Sequence, residues 1–130
     1  MPNSAGLGKA GEEKAAAALE AAGMKIINKN YRSKTGEIDI IALDGETIVF
    51  VEVKAWSTLG IEDLQYSVDN KKQNKIIKTA KYFLSENRKY SNMTIRFDVI
   101  FVKNNKASNG CQESEGFQLT HLASAFTESV

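Results

Sequence analysis

The stretch "GEIDIIALDGETIVFVEVK", residues 36 to 54, constrains the fold more than any other. It reads as two strands joined at Asp44-Gly45, a dipeptide that favours tight hairpin turns. Both strands are apolar enough to be covered on two faces, yet they carry Glu37, Asp39, Glu52 and Lys54. A carboxylate in a buried strand is costly unless it is paired, protonated or bound to a metal. With Asp44 and Gly45 as the central turn residues, Leu43 faces Glu46, which sets Asp39 opposite Phe50 and Glu37 opposite Glu52. Opposed residues share a face and side chains alternate along each strand. All four polar residues then project from one face, and Ile38, Ile40, Val51 and Val53 take the other. Asp39 and Glu52 become diagonal neighbours with β-carbons ~7 Å apart. That gap suits two carboxylates reaching for one hard cation, which takes oxygen ligands at about 2 Å for magnesium. A bulged turn would slip the register by one and still leave Asp39 near this face or its edge. The competing interpretation is a rim ion pair between Lys54 and Glu52, with Glu37 and Asp39 solvated. One lysine does not balance three carboxylates, so the surplus negative charge asks for a divalent cation.

Around this hairpin the chain reads as one α/β domain over residues 1–130, with 1–7 and 104–116 as flexible segments. Residues 8–23, "GKAGEEKAAAALEAAG", are rich in strong helix formers and end on a glycine suited to a C-terminal cap. Glu12 stands on the apolar stripe of this helix with Ala16, Leu19 and Gly23, either as a first-turn residue favoured by the helix dipole or as part of a site. "MKIINKNYRSKTG" gives a short apolar piece and then a basic turn. "VDNKKQNKIIKTAKYFLSENRK" predicts a helix with Asp69 near its start and Ile76, Ile77, Ala80, Phe83 and Leu84 inward. "MTIRFDVIFVK" is a strand, and "FQLTHLASAF" reads as a short strand or turn leading into a terminal helix. Strands apolar on both faces, such as "TIVFVEV" and "VIFV", are those of a sheet with helices on both sides.

Composition narrows the function by exclusion. Seventeen Lys and Arg against sixteen Asp and Glu give a net charge of +1, so any basic surface must be local. One Cys (Cys111) and one His (His121) leave no zinc set of the usual kind and no internal disulfide. The N-terminal stretch has no apolar leader-like region and no later run approaches a membrane span, so a cytoplasmic protein without a membrane partner is expected.

Asp39 followed by Glu52-Val53-Lys54 on the next strand resembles the Asp…(Asp/Glu)-x-Lys nuclease core, PD-(D/E)XK, of restriction endonucleases and junction resolvases. A preceding helix often supplies a further Glu there, and Gly11-Glu12 stands in that place. More narrowly, "GKAGEEKAA", "NKNYRSKTGEIDIIALDGETIVFVEVK", "VDNKKQ", "RFDV" and "HLASAF", in this order over about residues 8 to 126, resemble the bacterial YraN-like family of predicted endonucleases. The resemblance implies a restriction-endonuclease-like core, a mixed central sheet flanked by helices. Family members usually follow the Glu-x-Lys with a basic pair such as Thr-Arg, where this chain has Ala55-Trp56. The superfamily's Pro before the Asp is replaced by Ile38.

What the resemblance implies chemically is metal-dependent phosphodiester hydrolysis. Asp39, Glu52, Glu12 and the backbone carbonyl of Val53 would hold Mg2+ or Mn2+, and Lys54 would act on the attacking water or the developing charge. The substrate expected is DNA, branched or junction DNA included, with RNA left open; cutting two strands would favour a homodimer. Lys71, Lys75 and Lys78 recur at helical spacing with Lys72 beside them, and in the family a Lys falls at the place of Lys72. Tyr31, Arg32 and Lys34 form a second basic patch. These lysines are either a solvated helix face or a phosphate track. Trp56 and Tyr66 either pack or stack on a base. Arg96 and Asp98 read as a structural pair, and His121 as a local cap or packing residue. Two other classes compete: a non-catalytic nucleic-acid-binding protein with the nuclease fold, and an interaction module whose carboxylates hold a structural cation.

Overall fold

A computed structural model describes residues 2–56, 69–104 and 117–127 of the chain. Helix α1 (Pro2–Ala21) leads into strands β1 (Lys25–Ser33), β2 (Gly36–Asp44) and β3 (Thr47–Trp56). Helix α2 (Asn70–Glu86), a 3-10 turn (Arg88–Tyr90), β4 (Thr94–Asn104) and β5 (Phe117–Phe126) follow. The strands form one five-stranded sheet in the order β1-β2-β3-β4-β5. Its pairings are antiparallel except β3 with β4, which is parallel. A parallel neighbour needs a long crossover, and the connection between β3 and β4 contains α2. The expected α/β class, with a mixed sheet and helices on its two faces, is what the chain forms.

Each helix buries its apolar stripe on one face. Ala15, Ala16 and Leu19 of α1 pack with Met24 on Ile40, Ala42, Val49, Val51, Ile100 and Val102. Ile76, Ile77, Ala80 and Phe83 of α2 pack on Ile38, Ile41, Ile48, Phe50, Phe97, Val99, Phe101 and Phe126. On the α2 side an aromatic row crosses the sheet, from Tyr31 through Phe83, Phe50 and Phe97 to Phe126, with ring centroids 5.1–6.1 Å apart. The ends of both helices follow their sequence signals. The Asp69 side chain accepts from the Lys72 backbone N–H at 2.9 Å. After Ala21 the Met24 N–H donates back to the Leu19 carbonyl at 3.0 Å, closing α1 at Gly23. Among the described residues no helix is long and apolar enough to cross a membrane.

Four expectations change. Residues 25–33 form a full strand rather than a short apolar piece and a basic turn, because the segment pairs along β2. Residues 117–126 form a strand throughout, not a lead into a helix. The helix-like "LASAF" composition yields to pairing with β4, which places Leu119 against the α1-side core and Phe126 in the α2-side core. The hairpin closes at Asp44↔Thr47, so Gly45 and Glu46 make its turn, not Asp44 and Gly45. Gly45 takes φ +63 at the first central position, where tight hairpin turns accept glycine, and Asp44 stays in the strand with its Oδ2 on Arg96 Nη1 at 3.1 Å. The pairing runs to Ile40↔Val51, which brings Asp39 toward Glu52 directly rather than diagonally.

The fourth change concerns faces. Ile38 belongs to the α2-side core and Ile40 to the α1-side core, so alternation along β2 breaks at Asp39. The polar residues therefore do not share one face; Asp39 lies where the strand turns over, within reach of groups from both sides.

The turn between β1 and β2 is docked on α2 by a relay of hydroxyls. Thr79 Oγ1 donates to the Lys75 carbonyl at 2.8 Å, so Thr35 donates to Thr79 at 2.7 Å and Ser33 to Thr35 at 2.8 Å. Gly36 beside it has φ +146, and a β-carbon there would stand 3.3 Å from Thr79 Oγ1. Gly36→Ala is expected to cost about 1–2 kcal/mol through strain and loosened docking. Chemical denaturation checks it, and an unchanged midpoint would refute the docking role.

Candidate active site

Four carboxylates from three elements meet at the end of the β2–β3 hairpin away from its turn. Asp39 is 7% exposed, and its Oδ2 accepts from the Val53 N–H at 2.7 Å. This bond takes the place of a ladder contact just past Ile40↔Val51. Burial, then the charge of Glu52, pushes the Asp39 carboxyl up to about 7, with Glu12 and Glu37 adding to the rise and the Val53 N–H opposing it. Glu52 is 6% exposed, and its Oε2 lies 3.0 Å from Lys72 Nζ in the first turn of α2. Burial works against the Lys72 charge, but the hydrogen bond and charge of Glu52, backed by Asp39 and Glu37, outweigh it and raise the ammonium above its ordinary value. Glu12 comes from the middle of α1, not its first turn, and takes side-chain hydrogen bonds from Asn30 and Asp39. Its carboxyl is raised by burial first, with Glu37 and Glu52 contributing. Glu37 is the outermost, paired with Arg32 Nε at 3.1 Å.

Asp39, Glu52 and Glu12 are thus brought together. Val53 enters through its N–H. Lys54 is half-buried two residues beyond Glu52. Asn30 is a partner that sequence reasoning missed; its φ of +57 inside a strand suits Asn, and its side chain is a hydrogen-bond partner of Glu12. The donor set is all oxygen, and its negative charge exceeds what Lys72 supplies, so its chemistry fits a hard divalent cation. Among the described residues, however, no three Asp, Glu, His or Cys side chains are already gathered as a metal-binding set. One Glu52 oxygen, Oε2, is instead paired with Lys72.

The two basic patches are one surface. The relay through Thr35 and Thr79 sets the turn bearing Lys34, with Arg32 just before it in β1, against the α2 turn bearing Lys75. Lys71, Lys75 and Lys78 are exposed along α2, and Tyr82, 46% exposed, follows at the same helical spacing. Lys72 alone of these turns inward, to the carboxylates.

Residues 11–102 match the family described as "Uncharacterised protein family UPF0102". The chain belongs to this family. A UPF0102 protein of Treponema denticola is 43% identical over 127 residues, covering 92% of this chain and 94% of the relative. One from Persephonella marina is 46% identical over 98 residues, covering 75% and 84%. One from Caldicellulosiruptor saccharolyticus is 43% identical over 96 residues, covering 74% and 80%. The YraN-like resemblance holds at the level of the family, and these names carry no activity.

A second polar cluster of the UPF0102 chain lies on β4 and β5. Asp98 is fully buried and accepts from Arg96 Nε at 2.9 Å, Arg96 Nη2 at 3.0 Å and the Ser124 N–H at 2.9 Å. His121 Nε2 lies 2.7 Å from Asp98 Oδ2, the oxygen that Arg96 Nη2 also reaches, so the expected Arg96–Asp98 pair is the centre of a larger network. Ser124, at φ +53 in the irregular part of β5, is held there by this carboxylate. Burial raises the Asp98 carboxyl, but the bonds from Arg96, Ser124 and His121 prevail and leave it below its ordinary value. Each contact is internal, which marks the cluster as structural. Trp56 ends β3 by its backbone, and Tyr66 and Cys111 lie outside the described residues.

Proposed function

We propose that this UPF0102 chain is a divalent-cation-dependent nuclease that hydrolyses phosphodiester bonds in DNA, branched or junction DNA included, on a restriction-endonuclease-like core. The observation that carries the proposal is the buried pair Asp39 and Glu52, with Glu12 beside them, next to a helix lined with lysines. Stability alone does not call for burying Asp39 and Glu12 so that their carboxyls are raised, first by burial and then by the neighbouring acids, and sites of this kind cluster where chemistry is done. The order of elements and the acid positions on β2 and β3 support the nuclease-like core.

Bound magnesium or manganese would polarise a phosphate and acidify a water. Asp39 and Glu52 would hold the cation, with Glu12 next to them. The Val53 N–H fixes one oxygen of Asp39, which leaves the other to act. Lys54, two residues past Glu52, would meet the attacking water or the charge that develops on phosphate. Arg32, Lys34, Lys71 and Lys75 would track the backbone, which makes the affinity fall steeply with salt.

The test is incubation of the full chain with duplex, single-stranded, flapped and branched DNA plus Mg2+ or Mn2+. Cleavage that requires the cation and Asp39 is expected. Binding without any cleavage would favour a nucleic-acid-binding role on the same fold; neither binding nor cleavage would end the nucleic-acid reading.

A further inference from the structure

The Lys72–Glu52 contact is asymmetric. Glu52 sits on β3 between the buried Val51 and the half-buried Val53, and its side chain is 7% exposed. At that burial its carboxylate needs a counter-charge. Lys72 is fixed only at its backbone, where Asp69 caps α2, and its side chain is 45% exposed. Its ammonium can leave for solvent by rotating a flexible stem. The same contact draws Glu52 toward α2, while Asp39 is held on the other side by the Val53 N–H. Expected from sequence as a phosphate contact, Lys72 instead stands at the carboxylates.

We propose that Lys72 is an internal counter-cation of this site, which a divalent cation must displace from Glu52. The ammonium then competes with metal for Glu52 Oε2. Its release frees Glu52 to turn toward Asp39 and adds Lys72 to the surface formed by Lys71, Lys75, Arg32 and Lys34. The inference rests on the metal-dependent reading above and adds a step to it: cation loading and completion of the basic surface occur together.

Calorimetric titration of the full chain with MgCl2 tests this. Removing a competing charge at 3.0 Å is expected to tighten magnesium binding about tenfold in Lys72→Met. Lys71→Met, which deletes the same charge from an exposed neighbour, is expected to change it by less than about twofold. A measurement on the unaltered chain guards against a misfolded variant: acylation of Lys72 by an amine reagent, read by mass spectrometry, is expected to speed up as magnesium is added. Equal or weaker binding by Lys72→Met, or Lys72 acylation that saturating magnesium does not change, overturns the proposal. If DNA is cleaved all the same, the nuclease reading stands without it. No magnesium binding by either protein overturns both the metal site and this inference.

Discussion

Asp39→Asn is expected to abolish cation-dependent cleavage and, without metal, to make the protein more stable by about 1–3 kcal/mol at pH 8. The two effects have one cause. Asp39 is 7% exposed and its carboxyl is pushed to about 7 by burial and by Glu52. At pH 8 the native state therefore holds a buried carboxylate beside Glu52 and Glu12, with the Val53 N–H as its backbone donor. The sign follows from the raised value: stability from the protonated acid is present below the unfolded carboxyl's ordinary range and lost as pH rises through about 7. Asparagine keeps an oxygen for the Val53 N–H and removes the charge, so the fold gains what the site loses. Cleavage kinetics and urea denaturation on the same preparation check both parts. Cleavage that survives would place the chemistry elsewhere, and a less stable variant would show that the carboxylate is not the strained element.

The second large effect is expected at Asp98. Asp98→Ala should destabilise the chain by about 2–4 kcal/mol, a large share of a domain's total, because it removes the fully buried acceptor shared by Arg96, the Ser124 N–H and His121, and leaves Arg96 with Asp44 alone. For a chain of this size the melting temperature should fall by roughly 10 °C or more. The loss would include the fixed backbone at Ser124 and with it the register of β5. The pH dependence has the opposite sign to that of Asp39. The Asp98 carboxyl lies below its ordinary value, so its contribution is present above about pH 4 and lost as pH falls through the folded value. A loss under about 1 kcal/mol in chemical denaturation would contradict the network's structural role.

Much of this was legible in local signals. Asp69 capped α2 and Gly23 closed α1, because capping depends on residues within one turn. The inward stripe Ile76, Ile77, Ala80 and Phe83 followed helical spacing and is buried. The hairpin was legible, but its register was not. Asp44-Gly45 is compatible with more than one turn, and Arg96 from a strand far along the chain holds Asp44 in place. A short strand was legible at the start of 117–126, but its continuation was not, because "LASAF" has helical composition and only pairing with β4 makes it extended.

Asp39, Glu52 and Lys54 stood out before any contact was known, since charges recurring in strands this apolar need a reason, and Glu12 stood out on an apolar helix stripe. The sequence by itself also determined the family, whose similarity spans residues 11–102. Which of these groups meet depends on how the chain packs. Packing turned β2 over at Asp39, joined the two basic patches through Thr35 and Thr79, and moved Lys72 from the phosphate surface to Glu52. Local propensity acts over a few residues, whereas these contacts span up to tens of residues and form only once both helices are packed on the sheet.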